Sequence, residues 1–386
     1  MDLQPLFKLM AEKHASDLFF SAGAPVYIKI EGELRAVNRQ PIEANLVKQA
    51  AYSLMSEVQI RQFETDLEIN FGFSVEGLGR YRVNTFRQRG SVAMVIRYIN
   101  SAVPSFDELG LPPVLKSLAL ESRGLVLVVG ATGSGKSTTL ASMVDFRNTQ
   151  KTGHILTVED PIEFIHKHKK SLVNQREVGV DTLSYANAMI NAMREAPDVL
   201  MIGEIRDEDT MRQALTYTQT GHLCLATLHA NNSYHALTRV TSFFSPDTRE
   251  HLLHDLSLSL RAIISQRLVR GCDGKRLAAA EVLLNTLTIS ELIQKHQIDA
   301  IKDAMEQSMS DGFCTFEQSL FNLYRAGKIN LDEALQNADS RNNLEYLIKN
   351  TAKNPAKSSH SATTGHEKPV VKGGFEDITI MPEMLD

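Results

Sequence analysis

Nine consecutive residues, Gly130-Ala131-Thr132-Gly133-Ser134-Gly135-Lys136-Ser137-Thr138, fit the pattern G-x-x-x-x-G-K-[ST], a loop that wraps phosphate groups. The glycines let backbone N–H groups close around phosphate oxygens, and a helix starting at the loop adds partial positive charge. Lys136 reaches the β- and γ-phosphates, and the Ser137 hydroxyl can ligate Mg²⁺.

Three further stretches carry groups suited to phosphoryl transfer, which needs charge neutralisation, a metal holder and a group that orients water. Asp198-Val199-Leu200-Met201-Ile202-Gly203-Glu204 is an apolar strand ending in an acid, which places Glu204 near the Mg²⁺ and its waters. Ile155 to Phe164 is a second apolar strand, ending in Glu159, Asp160 and Glu163, any one of which could polarise the attacking water. Thr220 to His229 carries histidines at both ends of a third strand, His222 and His229. Two histidines bracketing one strand cannot both lie at its carboxyl end, so their convergence on one nucleotide requires a neighbouring chain or loop. Neutral imidazole can report a γ-phosphate by hydrogen bonding. Arg80, Arg82, Arg87, Arg89 and Arg97 crowd the strands upstream, where a basic solvated face is the ordinary reading. They also suit an arginine supplied across a subunit boundary, worth roughly 10³–10⁵ in rate, which would imply a ring. No N-K-x-D signal for guanine occurs, which favours ATP.

The elements that must hold these residues divide the chain. Residues 1–100 read as a small α+β domain. Leu3, Leu6, Phe7 and Met10 share a helical face, and Ile69, Phe71, Phe73 and Val75 alternate as in a half-buried strand. Residues 101–112 read as a linker punctuated by Pro104, Gly110 and Pro112. Residues 113–285 alternate apolar runs (Leu125–Val129, Ile155–Val158, Val199–Ile202, Leu223–Leu228) with helical segments, the pattern of a doubly wound α/β domain. Residues 286–350 read as helices. Residues 351–386 read as a tail, compositionally disordered at first and ending in an acidic-apolar segment from Phe375 that suits either a docking peptide or a solvated end.

Composition bounds the ligand classes. The 386 residues predict two or three domains. A net charge of -5 argues against nucleic acid as main partner. Cys224, Cys272 and Cys314 form no C-x-x-C pair, so a zinc site is not expected, and a sparse odd set suits a reducing cytosol. No apolar run approaches the roughly 18 residues of a membrane span, and the first residues carry no secretory pattern.

Taken together, these motifs resemble the secretion-type ATPases, and within them the PilT-like type IV pilus retraction ATPases, over about residues 1–345. The resemblance implies a PAS-like N-terminal α+β domain joined to a RecA-like P-loop ATPase and assembled as a hexamer. It implies Mg-dependent ATP hydrolysis at the cytoplasmic base of the pilus, peripheral to the inner membrane and working against a platform protein. By the same resemblance Glu163 is the catalytic glutamate and Glu204 the Walker-B glutamate. His222 and His229 sense nucleotide, and Arg80, Arg82 and Arg97 reach an adjacent subunit's site. The tetracysteine insert of the assembly ATPases is absent, which favours retraction over extension. Leu260 to Leu268 matches a family helix, but no A-G-L-I-R-E-Q-like motif follows, and the 351–386 tail is extra. Both features are similar to the PilU branch, which implies an accessory role beside a PilT-type ATPase. Two other readings remain: a nucleotide-dependent partner of another pilus ATPase, and a DNA-handling ATPase of the same superfamily.

Overall fold

The computed structural model describes residues 3–30, 32–99, 102–308 and 312–353. The expected tail lies outside the described residues from 354 onward. Two sheets organise the chain. The first contains β1 (Asp17–Ser21), β2 (Tyr27–Ile30), β3 (Glu33–Ala36), β4 (Glu68–Val75), β5 (Gly79–Gln88) and β6 (Ser91–Ile99). Its order is β3-β2-β1-β6-β5-β4 with every pairing antiparallel. Strand β5 shows why it is two-faced: Tyr81, Val83 and Thr85 point into the core, while Arg80, Arg82 and Asn84 point the other way. The helices Gln4–Glu12, Ala44–Ser53 and Glu57–Asp66 contribute Phe7, Met10, Val47, Ala50 and Phe63 to this core.

The second sheet contains β7 (Gly124–Val129), β8 (Gly153–Glu159), β9 (Ser171–Glu177), β10 (Val199–Ile202), β11 (Leu223–Leu228), β12 (Leu260–Arg270) and β13 (Arg276–Leu284). Its order is β13-β12-β7-β11-β10-β8-β9, parallel except for the β12–β13 pair. Strands β7, β10 and β11 are buried along their whole length, as continuous Val/Leu/Ile runs require when helices cover both faces. Helix Lys136–Gln150 crosses from β7 to β8, and Glu208–Gln219 from β10 to β11.

Three sequence expectations change. Leu260 to Leu268, matched to a family helix, is strand β12, paired with β7 and β13. Its β-branched Ile263 and Ile264 are buried between those neighbours, a setting that overrides local helix preference. Strands β9 and β13 were not expected, since Ser171–Glu177 is a mostly polar edge strand and Arg276–Leu284 is rich in alanine and leucine, which favour helices. The 101–112 segment is not wholly irregular: Phe106–Leu109 forms one helical turn with a Ser105–Glu108 capping box. The helices expected after residue 285 run from Leu287–Gln294 to Arg341–Lys353. Among the described residues, no helix is long and apolar enough to cross a membrane.

Candidate active site

Strand register sets which side chains meet. Val158 pairs with Ile202, Ile202 with Ala226, and Ala226 with Leu127. Continuing past that row, Glu159, Glu204, His229 and Gly130 all emerge at the carboxyl edge of the parallel sheet, where open α/β sheets bind ligands. The loop 130–135 then turns into the helix at Lys136. A Cβ on Gly130 would collide with Ser134 Oγ and the Gln266 carbonyl, and one on Gly135 would lie 2.7 Å from Gln266 Nε2. Gln266 on β12 is therefore the floor of the loop, and its Oε1 also accepts from Thr139 Oγ1 at 2.6 Å. Lys136 Nζ donates to the Gly130 and Ala131 carbonyls at 3.0 and 2.9 Å. Burial pulls its pKa down, opposed by the charges of Glu204 and Glu163.

One pocket is lined by Thr132, Gly133, Lys136 and Ser137 on one side and Glu159, Asp160, Glu163, Glu204 and His229 on the other. Glu204 is the hub of its carboxylates. Its Oε2 accepts from Arg206 Nε at 2.7 Å, and its Oε1 lies 3.3 Å from His229 Nε2. Arg206 Nη1 reaches Asp160 Oδ2 at 3.4 Å, so the acids of two strand ends share one guanidinium. Glu159 is different in kind. It is 7% exposed and accepts from Thr157 Oγ1 at 2.7 Å and Gln175 Nε2 at 3.1 Å. Burial nevertheless pushes its pKa up to about 7, against those bonds and the Glu163 N–H. Glu163, four residues on, stands at the pocket wall across the turn at Pro161.

The arginine face of the first sheet closes on the same loop. Arg82 and Arg97 stand directly opposite each other across β5 and β6, an unfavourable pairing of like charges unless an anion joins them. Asp17 Oδ1 accepts from Arg97 Nε at 2.7 Å, and no ion pair of Arg82 is found among the described residues. Both line a second cavity with Pro161, Ile162, Glu163 and Phe164 of the same chain. Arg80, two residues before Arg82, instead pairs with Glu177 of β9 at 3.3 Å. Within the chain, Arg82 and Arg97 border the 161–164 loop and Arg80 pairs with β9.

The pocket brings together Lys136, Ser137, Glu163, Glu204 and His229. It does not include His222, which sits at the opposite end of β11. There its carbonyl accepts from Gly124 N–H, and its ring stacks on Tyr217 at 4.9 Å between centroids. Thr138 lies in the first turn of the helix, its carbonyl accepting from Ser142 Oγ. Arg206 belongs to the motif that follows Glu204 but carries no role in the sequence reading, and Tyr185, which lines the pocket, offers no pattern to find it by.

The type II/IV secretion system protein family matches residues 2–366. A type IV pilus ATPase named PilU from Pseudomonas aeruginosa is 47% identical over 366 residues, 95% of this chain and 96% of the relative. A type IV pilus retraction ATPase named PilT from the same organism is 42% identical over 338 residues, 88% and 98% of the two chains. The crystal structure of the pilus retraction motor PilT with bound ADP superposes with a TM-score of 0.84 at 40% identity, covering 90% of this chain and 99% of that one. With a nucleotide loop, a convergent acid cluster and this kinship in place, the chain belongs to the type II/IV secretion system protein family, as an ATPase of its PilT/PilU type.

Proposed function

We propose that this chain is a hexameric, ATP-hydrolysing motor for type IV pilus retraction that works beside a second, PilT-type ATPase at the inner-membrane platform. The observation that carries the enzymatic part is the convergence of Lys136, Glu163, Glu204 and His229 on one pocket at the end of the parallel sheet. The hexamer, the companion ATPase, the platform and the cytoplasmic setting are supported by the likeness to PilU and PilT.

The chemistry follows from the side chains. The backbone N–H groups of residues 130–138 and Lys136 Nζ hold the ATP phosphates, with Lys136 exchanging its two carbonyl partners for phosphate oxygens. The hydroxyl of Ser137 and the carboxylate of Glu204 form an all-oxygen donor set that fits Mg²⁺, and the ion supplies neutralisation of phosphate charge when bound. Glu163 accepts the proton of the attacking water. Glu204 orients that water, and His229, 3.3 Å from Glu204, reads the terminal phosphate. Arg82 and Arg97 neutralise charge that develops as the phosphoryl group leaves.

The test is Mg-ATP turnover by the purified full chain together with twitching in cells. Wild type turns over, and K136A and E163Q do not. Cells lacking the chain retract pili more weakly, and cells with it as sole retraction ATPase fail to twitch. Absence of turnover in every oligomeric state would overturn the motor, and unaided twitching would overturn the accessory role.

A further inference from the structure

Glu163 sits in a loop whose neighbours on both sides are held from behind by one face of β9. Gln175 Oε1 accepts from His166 N–H at 2.8 Å, and its Nε2 donates to the Phe164 carbonyl at 2.9 Å. Two residues along the same face, Glu177 Oε2 accepts from Ile162 N–H at 3.4 Å. That same oxygen accepts from Arg80 Nη2 at 3.3 Å, and Glu177 is 5% exposed. Ile162 and Phe164 flank Glu163 directly. A single buried carboxylate oxygen therefore joins the loop beside Glu163 to an arginine of the other sheet.

We infer that Arg80 and Glu177 are positioning residues for Glu163, with Arg80 acting inside its own chain through Glu177 and not at a neighbour's nucleotide. This rests on Glu163 being the catalytic glutamate. The physical reason is the cost of burying a charge without its partner. If the first sheet moves so that Arg80 leaves, Glu177 keeps one long bond to Ile162 and must find other donors, which shifts the loop. A displacement of about 1 Å at a reacting group costs as much as roughly 10²-fold in rate. Hydrolysis thereby becomes contingent on where the arginine face of the first sheet rests.

The test uses the full chain with R80A, E177Q and the double variant, and E163Q in parallel. Each single variant is expected to lower kcat roughly 10- to 100-fold while KM for ATP stays within about twofold, and the double variant to lose no more than either alone. R80K, which keeps the charge but not the forked geometry, is expected to fall between and serves if R80A does not fold. Co-expression of R80A with K136A subunits separates the two arrangements. An arginine working across subunits would regain activity in the mixture, and the within-chain arrangement would not. Additive losses, a change in KM alone, or regained activity would overturn the inference. Normal turnover by E163Q would instead overturn the assignment of Glu163, whatever Arg80 and Glu177 do.

Discussion

The two ends of the parallel sheet treat polar groups in opposite ways. At the amino end they bond backbone that has no reason to move. Asp198 Oδ2 accepts from His154 N–H at 2.7 Å, and His154 Nδ1 lies 3.0 Å from the Glu195 carbonyl. Arg147 Nη1 donates to the Ala119 and Glu121 carbonyls, and Tyr217 donates its hydroxyl to Pro197. At the carboxyl end Glu204 and Asp160 pair with other side chains, Glu204 with Arg206 and His229 and Asp160 with Arg206, while the backbone bonds there hold only the loops around the pocket. Side-chain pairs, and the bonds of Lys136 Nζ to its own loop carbonyls, can be exchanged for phosphate, water or metal, whereas the backbone pairs of the amino end cannot be given up without loosening the sheet. The amino end stabilises, and the carboxyl end is free to react.

The sharpest way to break this contrast is K136A, which should lower ATP turnover by roughly 10²–10³ or more. Its melting temperature should hold or rise, because burial disfavours the Lys136 charge and the truncation removes that cost. A large loss of stability would mean that the loop lysine is structural, like Arg147 at the other end.

Next is a pH effect at Glu159. Its folded pKa of about 7 lies above its ordinary 4.5, so the folded chain holds this proton more tightly than the unfolded chain. The stability it contributes is therefore full below pH 4.5 and falls as pH rises through 7, by about 3 kcal/mol in all. His166 pulls the other way, since burial depresses its imidazole to about 4 and favours the fold as pH rises from there to 6.5. The difference between wild type and E159Q isolates the carboxyl. E159Q should gain relative stability from pH 5 to pH 8 in urea titrations, and parallel curves would show that Glu159 is ionised at no cost.

The two histidines of β11 put the contrast in one strand. H229N should lower kcat roughly 10- to 100-fold by removing the contact to Glu204. H222N should change it less than about twofold, since a substitution away from the site leaves transition-state contacts intact. Equal losses in steady-state hydrolysis would place His222 at a nucleotide after all, through a neighbouring chain.

Much of this site is legible in the sequence, and the reason is local. The loop 130–138 carries its own geometry in its glycines, and Glu204 and His229 follow within two residues of strands buried along their length, so strand identity implied sheet edge. What stayed hidden depends on distant partners. The facing of Arg80, Arg82 and Arg97 is set by how the two sheets pack. Gln175 and Glu177 lie on an edge strand whose alternation is polar on both faces, and β12 finds its partner in the distant β7 while β13 pairs in turn with β12. Chain direction already separates His222, which precedes the buried strand, from His229, which follows it; only the family resemblance gave both a nucleotide-sensing role.

The smallest expected effect tests the stabilising end alone. Tyr217 is 2% exposed, its hydroxyl donates to the Pro197 carbonyl, and burial raises its pKa so that it stays a neutral donor. Y217F keeps the ring against His222 and deletes only that donor, leaving a carbonyl unpaired at a cost of about 1–2 kcal/mol. For a unit of this size that is a melting shift of roughly 2–4 °C per kcal/mol, with kcat and KM unchanged. If kcat falls with it, the helix Glu208–Gln219 transmits strain from the amino end to Glu204 at its other end, and the two edges of the sheet are one mechanical unit. If only the melting temperature moves, the polar groups of the amino end serve the fold, and the hydrolytic machinery is confined to the edge where side chains are free to trade partners.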